Sequence, residues 1–132
     1  MPTTVWSPPR SALGVVYAFL GALSLGACGP QSAAERGQAL FSDPAFSPSP
    51  SNLFSCATCH GARPVAPGRH ASTQRDIAPL APAAHAARFT DTAKTEKWFR
   101  RNCNDVLGRE CTPGEKADVL AWLMTLKWGA AP

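Results

Sequence analysis

Methionine is almost missing from this chain of 132 residues: Met1 opens it and Met124 lies near its end. No stretch alternates apolar and polar residues convincingly over strand length, which speaks against a sheet protein. There is no internal repeat. The longest apolar segment, Leu13 to Leu25, is too short for a comfortable membrane span. The formal net charge of +4 is not the balance of a nucleic-acid binder.

Against these absences stands Cys56-Ala57-Thr58-Cys59-His60, the spacing C-x-x-C-H. This is the attachment signature of a c-type haem. Two thiols add across the haem vinyl groups, and the next residue, His60, reaches the iron as its proximal ligand. The spacing must be short because all three side chains address one face of one macrocycle. The expected cofactor is a single covalent haem c, whose redox and gas-binding chemistry the protein tunes through axial ligand, burial and hydrogen bonds. A thioredoxin-like site would sit beside a βαβ pattern, which is lacking here. A zinc site needs four ligands in paired clusters, and Cys103 and Cys111 lack the paired spacing.

Residues 1–27 read as a secretory signal, with Arg10 ahead of the apolar segment. The segment ends in Leu25-Gly26-Ala27-Cys28, which resembles the lipobox of bacterial lipoproteins. Cys28 is then the lipidated first residue of the mature chain, residues 28–32 a tether, and 33–132 one small cytochrome domain. The protein is expected to be periplasmic and held at the membrane by its lipid. An ordinary cleaved signal or an uncleaved anchor are the other readings. In an oxidising compartment the two remaining cysteines, Cys103 and Cys111, are expected to pair, with two free thiols as the alternative.

The helical signals are sparse but clear. A first helix is predicted over about 33–41, with Ala33, Gly37, Leu40 and Phe41 on one side. Residues 42–54 are rich in Pro and Ser and read as irregular. Residues 61–88, with Pro64, Pro67, Pro79 and Pro82, read as a long loop around the haem. A second helix is predicted from about Asp91 to Val106, capped by Thr90 or Asp91. Thr112-Pro113-Gly114-Glu115 has the form of a capping box with Pro at the first helical position. Ala117, Leu120, Ala121 and Met124 follow at helical spacing, which assigns Met124 to core packing. The fold class is therefore all-α, three to four helices around one covalently attached haem with long loops.

What faces the iron opposite His60 is the open question. Met1 leaves with the signal, and His70 and His85 sit in loops where a surface role is favoured. On the second helix Thr95, Trp98, Phe99, Asn102 and Val106 share one face. Asn102 is the polar member of that largely apolar stripe. A buried amide without a partner costs about 1–3 kcal/mol, so an iron, a haem propionate or a backbone group should satisfy it.

The segments Ile77-Ala78-Pro79-Leu80-Ala81-Pro82, Arg88-Phe89-Thr90-Asp91, Glu96-Lys97-Trp98, Arg101-Asn102-Cys103-Asn104 and Gly108-Arg109-Glu110-Cys111-Thr112-Pro113-Gly114-Glu115 resemble the sphaeroides haem protein family. These are small, class I cytochrome c-like monohaem proteins that bind oxygen. The resemblance implies that Asn102 is the sixth iron ligand, lost on reduction when diatomic gases such as oxygen or nitric oxide bind. It implies a Cys103–Cys111 disulfide, a dihaem cytochrome as redox partner, and a Pro79 carbonyl that orients His60. Gly37 and Phe41 resemble the helix motif that packs against the final helix near Trp122. Trp98 and Phe99 are expected to shield the haem pocket. The basic face of Lys94, Lys97 and Arg101 either steers an acidic partner or is merely solvated. The expected function is electron transfer with redox-gated gas binding. A plain electron carrier and a small haem enzyme such as a nitric oxide dioxygenase are the alternatives, and no clear distal acid–base pair specifies an enzyme.

Overall fold

The computed structural model describes residues 29–48 and 54–129. Residues 1–27 and Cys28 lie outside them, so the signal and lipid expectations do too. No helix among the described residues is long and apolar enough to cross a membrane.

Ser32 opens α1 (Ala33–Ser42) through a capping box. Its backbone N–H donates to Glu35 Oε2 at 2.7 Å, and the Glu35 N–H donates to Ser32 Oγ at 3.2 Å. Within the stretch read as irregular, Pro44–Phe46 makes one 3-10 turn, because Asp43 Oδ1 accepts the Ala45 N–H. The haem motif itself forms α2 (Cys56–His60).

The strand-free reading needs one correction. Gly68–Arg69 (β1) pairs antiparallel with Asp76–Ile77 (β2), with Gly68 opposite Ile77 and Arg69 opposite Asp76. Two residues per strand are too few for any alternation, and tertiary packing holds them. A side chain at Gly68 would run into the Cys59 carbonyl and the His60 Cα, so only glycine lets the hairpin lean on α2.

Asp91 caps α3 (Thr92–Leu107), its Oδ1 accepting the Lys94 N–H at 2.9 Å. Gly108 ends it in the left-handed region at φ 66°, which favours glycine. The capping box read at Thr112 and Glu115 is present and starts α4 (Pro113–Thr125). Arg109 holds the Glu115 carboxylate with both terminal guanidinium nitrogens, at 2.8 and 2.7 Å. That ion pair, then the Thr112 backbone N–H, pull the Glu115 carboxyl down to about 2 against its burial. The expected pairing of Cys103 and Cys111 is present, with Cα atoms 5.6 Å apart, and it ties the last turn of α3 to the start of α4.

The core forms where α1 crosses α4. Gly37 presents bare backbone to the Asp118 carbonyl, which allows the helices to touch. Phe41 and Trp122 meet with ring centroids 4.8 Å apart. Leu40, Leu107, Val119, Leu123 and the disulfide complete the cluster. Arg36 grips Asp118 across the crossing at 2.8 and 2.7 Å.

Met124 departs from the sequence expectation: it is 55% exposed. The buried face of α4 is Val119, Trp122 and Leu123. Five positions beyond Val119 turn Met124 about 140° away from that face.

Candidate functional site

The site is built on α2. The Ser55 N–H donates to Thr58 Oγ1 at 3.0 Å, and Gly61 closes the turn at φ 73° with its N–H on the Ala57 carbonyl. One helical turn puts Cys56 and Cys59 on one side, three positions apart, with His60 immediately after. Cys56 leans on the core, and burial is the main cause that pushes its thiol up to about 11. The Ala71 N–H reaches Cys59 Sγ at 3.4 Å.

The half-buried His60 ring lies 6.2 Å from Phe41. Burial, then the positive charge of Arg88, hold its imidazole below the ordinary histidine range. His60 is therefore neutral near pH 7, the form that lends a lone pair to a metal.

These residues fit a c-type haem. Both thiols are unpaired, stand one turn apart and precede a neutral imidazole beside a buried aromatic ring. Among the described residues no cluster of three or more His, Cys, Asp or Glu could hold a bare ion, so a zinc site has no donor set.

Of the predicted stripe on α3, Thr95, Phe99, Asn102 and Val106 are half-buried, whereas the residues of α3 that enter the core are its neighbours Cys103 and Leu107. Thr95 turns its hydroxyl back onto the Asp91 carbonyl at 2.8 Å. The Asn102 amide makes no hydrogen bond with any of the described residues, while Asn104, two positions on, donates to the Arg100 carbonyl at 2.7 Å. Trp98 is 44% exposed, and the Arg101 guanidinium lies 5.6 Å from its ring centre. Lys94, Lys97 and Arg101 all reach solvent; Arg101 has only a loose ion pair with Asp105, at 3.9 Å.

The two other histidines are exposed. His70 Nδ1 accepts the Ser72 and Thr73 N–H groups and so caps a turn. The half-buried Pro79 does offer its carbonyl, but the hydrogen bond it accepts is from Arg88 Nε, at 2.9 Å. A carbonyl has two lone pairs, so this bond leaves room for a second donor. Sequence reasoning gave Arg88 no role of its own, because a loop arginine carries no local signal of where its donors end.

Residues 28–123 match the family described as Domain of unknown function (DUF1924). The cytochrome c-type protein SHP of Cereibacter sphaeroides is 55% identical over 97 residues, 74% of each chain. The fold is similar to that of oxidised SHP, described as an oxygen-binding cytochrome c, at 52% identity and a TM-score of 0.64, covering 74% of this chain and 85% of that one. It is also similar to the solution structure of Methylophilus methylotrophus cytochrome c'', described in connection with haem-ligand detachment. That match has 40% identity and a TM-score of 0.58, covering 68% of this chain and 72% of that one.

Proposed function

This chain belongs to the DUF1924 family and is a relative of the sphaeroides haem protein, and from that premise we propose that Asn102 occupies the position opposite His60 in the ferric protein and yields it to a diatomic gas on reduction. The protein is an all-α c-type cytochrome that carries covalently attached haem c. When bound, that group supplies a one-electron couple and a place for a small gas.

The observation that carries the reading is the half-buried Asn102 amide with no protein partner among the described residues. With no protein partner and its polar atoms not sealed from solvent, the amide is free to take a ligand role. Asn102 offers a neutral, hard oxygen that suits ferric iron better than ferrous. Reduction weakens its hold, and the freed side chain keeps an N–H₂ donor in the same pocket. The half-buried Phe99, with Trp98 one position before it, would limit water there. The relatives support this reading, since one is described as binding oxygen and another for haem-ligand detachment.

Absorbance of the ferric and ferrous protein, with and without carbon monoxide, tests the reading. The ferrous spectrum is expected to lose its low-spin sixth ligand and to shift on addition of carbon monoxide. A ferrous spectrum that keeps a strong sixth ligand and ignores carbon monoxide refutes it, and leaves a plain electron carrier.

Electrons reach the protein through a redox partner, a cytochrome with an acidic docking face. The exposed cations Lys94, Lys97 and Arg101 lie on the helix that carries Asn102 and would steer such a face. The second-order rate of reduction by that partner is expected to fall about tenfold or more from low to physiological salt. A rate that ignores salt removes docking at this face.

A further inference from the structure

Phe89, in the turn that leads into α3, stands in a backbone conformation that phenylalanine avoids. Its φ is 63°, in the left-handed region where a bulky side chain strains the chain. Among the described residues only Gln74 shares that region without being glycine. There the side chain supports its own turn: the exposed Gln74 amide donates to the Ala71 carbonyl at 2.7 Å. Phe89 has no polar group that could do the same. A reversal of the chain alone would be served by glycine without strain. The ring, then, has to be explained by what it packs on.

The backbone on both sides gives Phe89 little freedom to relax. Before it, the Arg88 N–H donates to the His85 carbonyl at 2.9 Å, and the Arg88 guanidinium holds the Ala78 and Pro79 carbonyls. Across it, the Thr90 hydroxyl donates to the Ala87 carbonyl at 3.0 Å, and after it Asp91 caps α3. Strain of this kind persists where the surroundings over-determine it, and it collects at functional sites. The half-buried ring packs against the core cluster in one set with Cys56, Leu80 and Phe99. Each of those neighbours adjoins the site. Cys56 holds the haem, Leu80 follows the segment that Arg88 grips, and Phe99 lies one turn before Asn102 on α3.

We propose that the strained turn exists to hold the Phe89 ring as an apolar wall of the Asn102 pocket, where it keeps water from the iron position that Asn102 occupies and slows the entry of a gas once Asn102 lets go. An aromatic face offers water no adequate hydrogen bond, so a water beside it is left short of partners. An apolar diatomic gas gives up nothing of that kind. A weak neutral ligand such as the Asn102 amide needs this protection, because water is a competing oxygen donor of the same type. The inference rests on the reading that Asn102 is the releasable sixth ligand.

Two variants of the haem-loaded protein test this. Phe89→Gly removes the ring and releases the strain, whereas Phe89→Tyr keeps both. Ferric absorbance reads water at the iron, and recombination after flash photolysis of the carbon monoxide complex reads entry. Phe89→Gly is expected to gain a high-spin, water-ligated ferric form and to rebind carbon monoxide several-fold faster. Phe89→Tyr should match the unaltered protein in both. If Phe89→Gly leaves both readouts unchanged, the ring only packs and the proposal is overturned. A Phe89→Tyr variant that shifts as far as Phe89→Gly overturns it too, because the ring would then not be the agent. Should Phe89→Gly yield no haem-loaded protein, Phe89→Leu decides by the same two readouts: both shifted supports the wall, neither shifted rejects it. An unaltered ferrous protein that ignores carbon monoxide removes the reading of Asn102 itself and this proposal with it, and that result is seen before any variant is compared.

Discussion

Replacing Cys103 and Cys111 together by serine is expected to lower the stability of the haem-loaded protein by about 4 kcal/mol and to weaken ferric ligation by Asn102. The bond closes a short loop between α3 and α4. Loop closure of this length contributes about 2–3 kcal/mol in the chain-entropy account. Both cysteines lie in the core cluster, at 5% and 7% exposure. Serine would bring two hydroxyls there, at about 1 kcal/mol each where they find no partner. The effect on the site follows from adjacency. Asn102 immediately precedes Cys103, so the bond pins the helical turn that carries the amide. Denaturant unfolding measures the first effect. Ferric absorbance measures the second, as a shift toward a high-spin or water-ligated form. An unchanged ferric spectrum in the double variant assigns the disulfide to stability alone.

Gly37→Ala is expected to cost about 3 kcal/mol, lowering the melting temperature by about 15 °C for a domain of this size. In an isolated helix the same change would help by up to about 1 kcal/mol. Here the added methyl would run into the Asp118 carbonyl and the Val119 nitrogen, which are backbone and cannot swing away. The two helices must separate, and the Phe41–Trp122 contact and the Arg36–Asp118 pair are disturbed with them. Gly114→Ala is the control. Its nearest neighbour would be Thr112 Oγ1 at 4.0 Å, so stability should hold or rise slightly. If Gly37→Ala melts with the unaltered protein, the crossing is looser than this contact implies.

Much of this arrangement can be read in the sequence where the signal is local or covalent. Thr112 and Glu115 announce the start of α4 because a capping box is complete within one turn. Gly37, Phe41 and Trp122 meet as the family resemblance implies. Cys56, Cys59 and His60 need only one helical turn to reach one side. What the sequence conceals depends on partners far along the chain. The β1–β2 pair exists because Gly68 fits against α2, and no pattern within two residues can say so. Met124 looked like core because Ala117, Leu120 and Ala121 share its spacing. Phe41 packs instead against Trp122, and that choice rotates α4 so that Met124 faces out. Arg88 is the same case for the site, since its two acceptors lie nine and ten residues earlier in a loop.

The crossing of α1 and α4 also joins the two ends of the domain around the site. Phe41 finds its cover in Trp122 on the last helix, and the same ring stands 6.2 Å from His60. Without α4, Leu40 and Phe41 lack their principal neighbours, and the wall behind α2 is unfinished. The haem motif near the middle of the chain thus depends on contacts between segments that flank it on both sides.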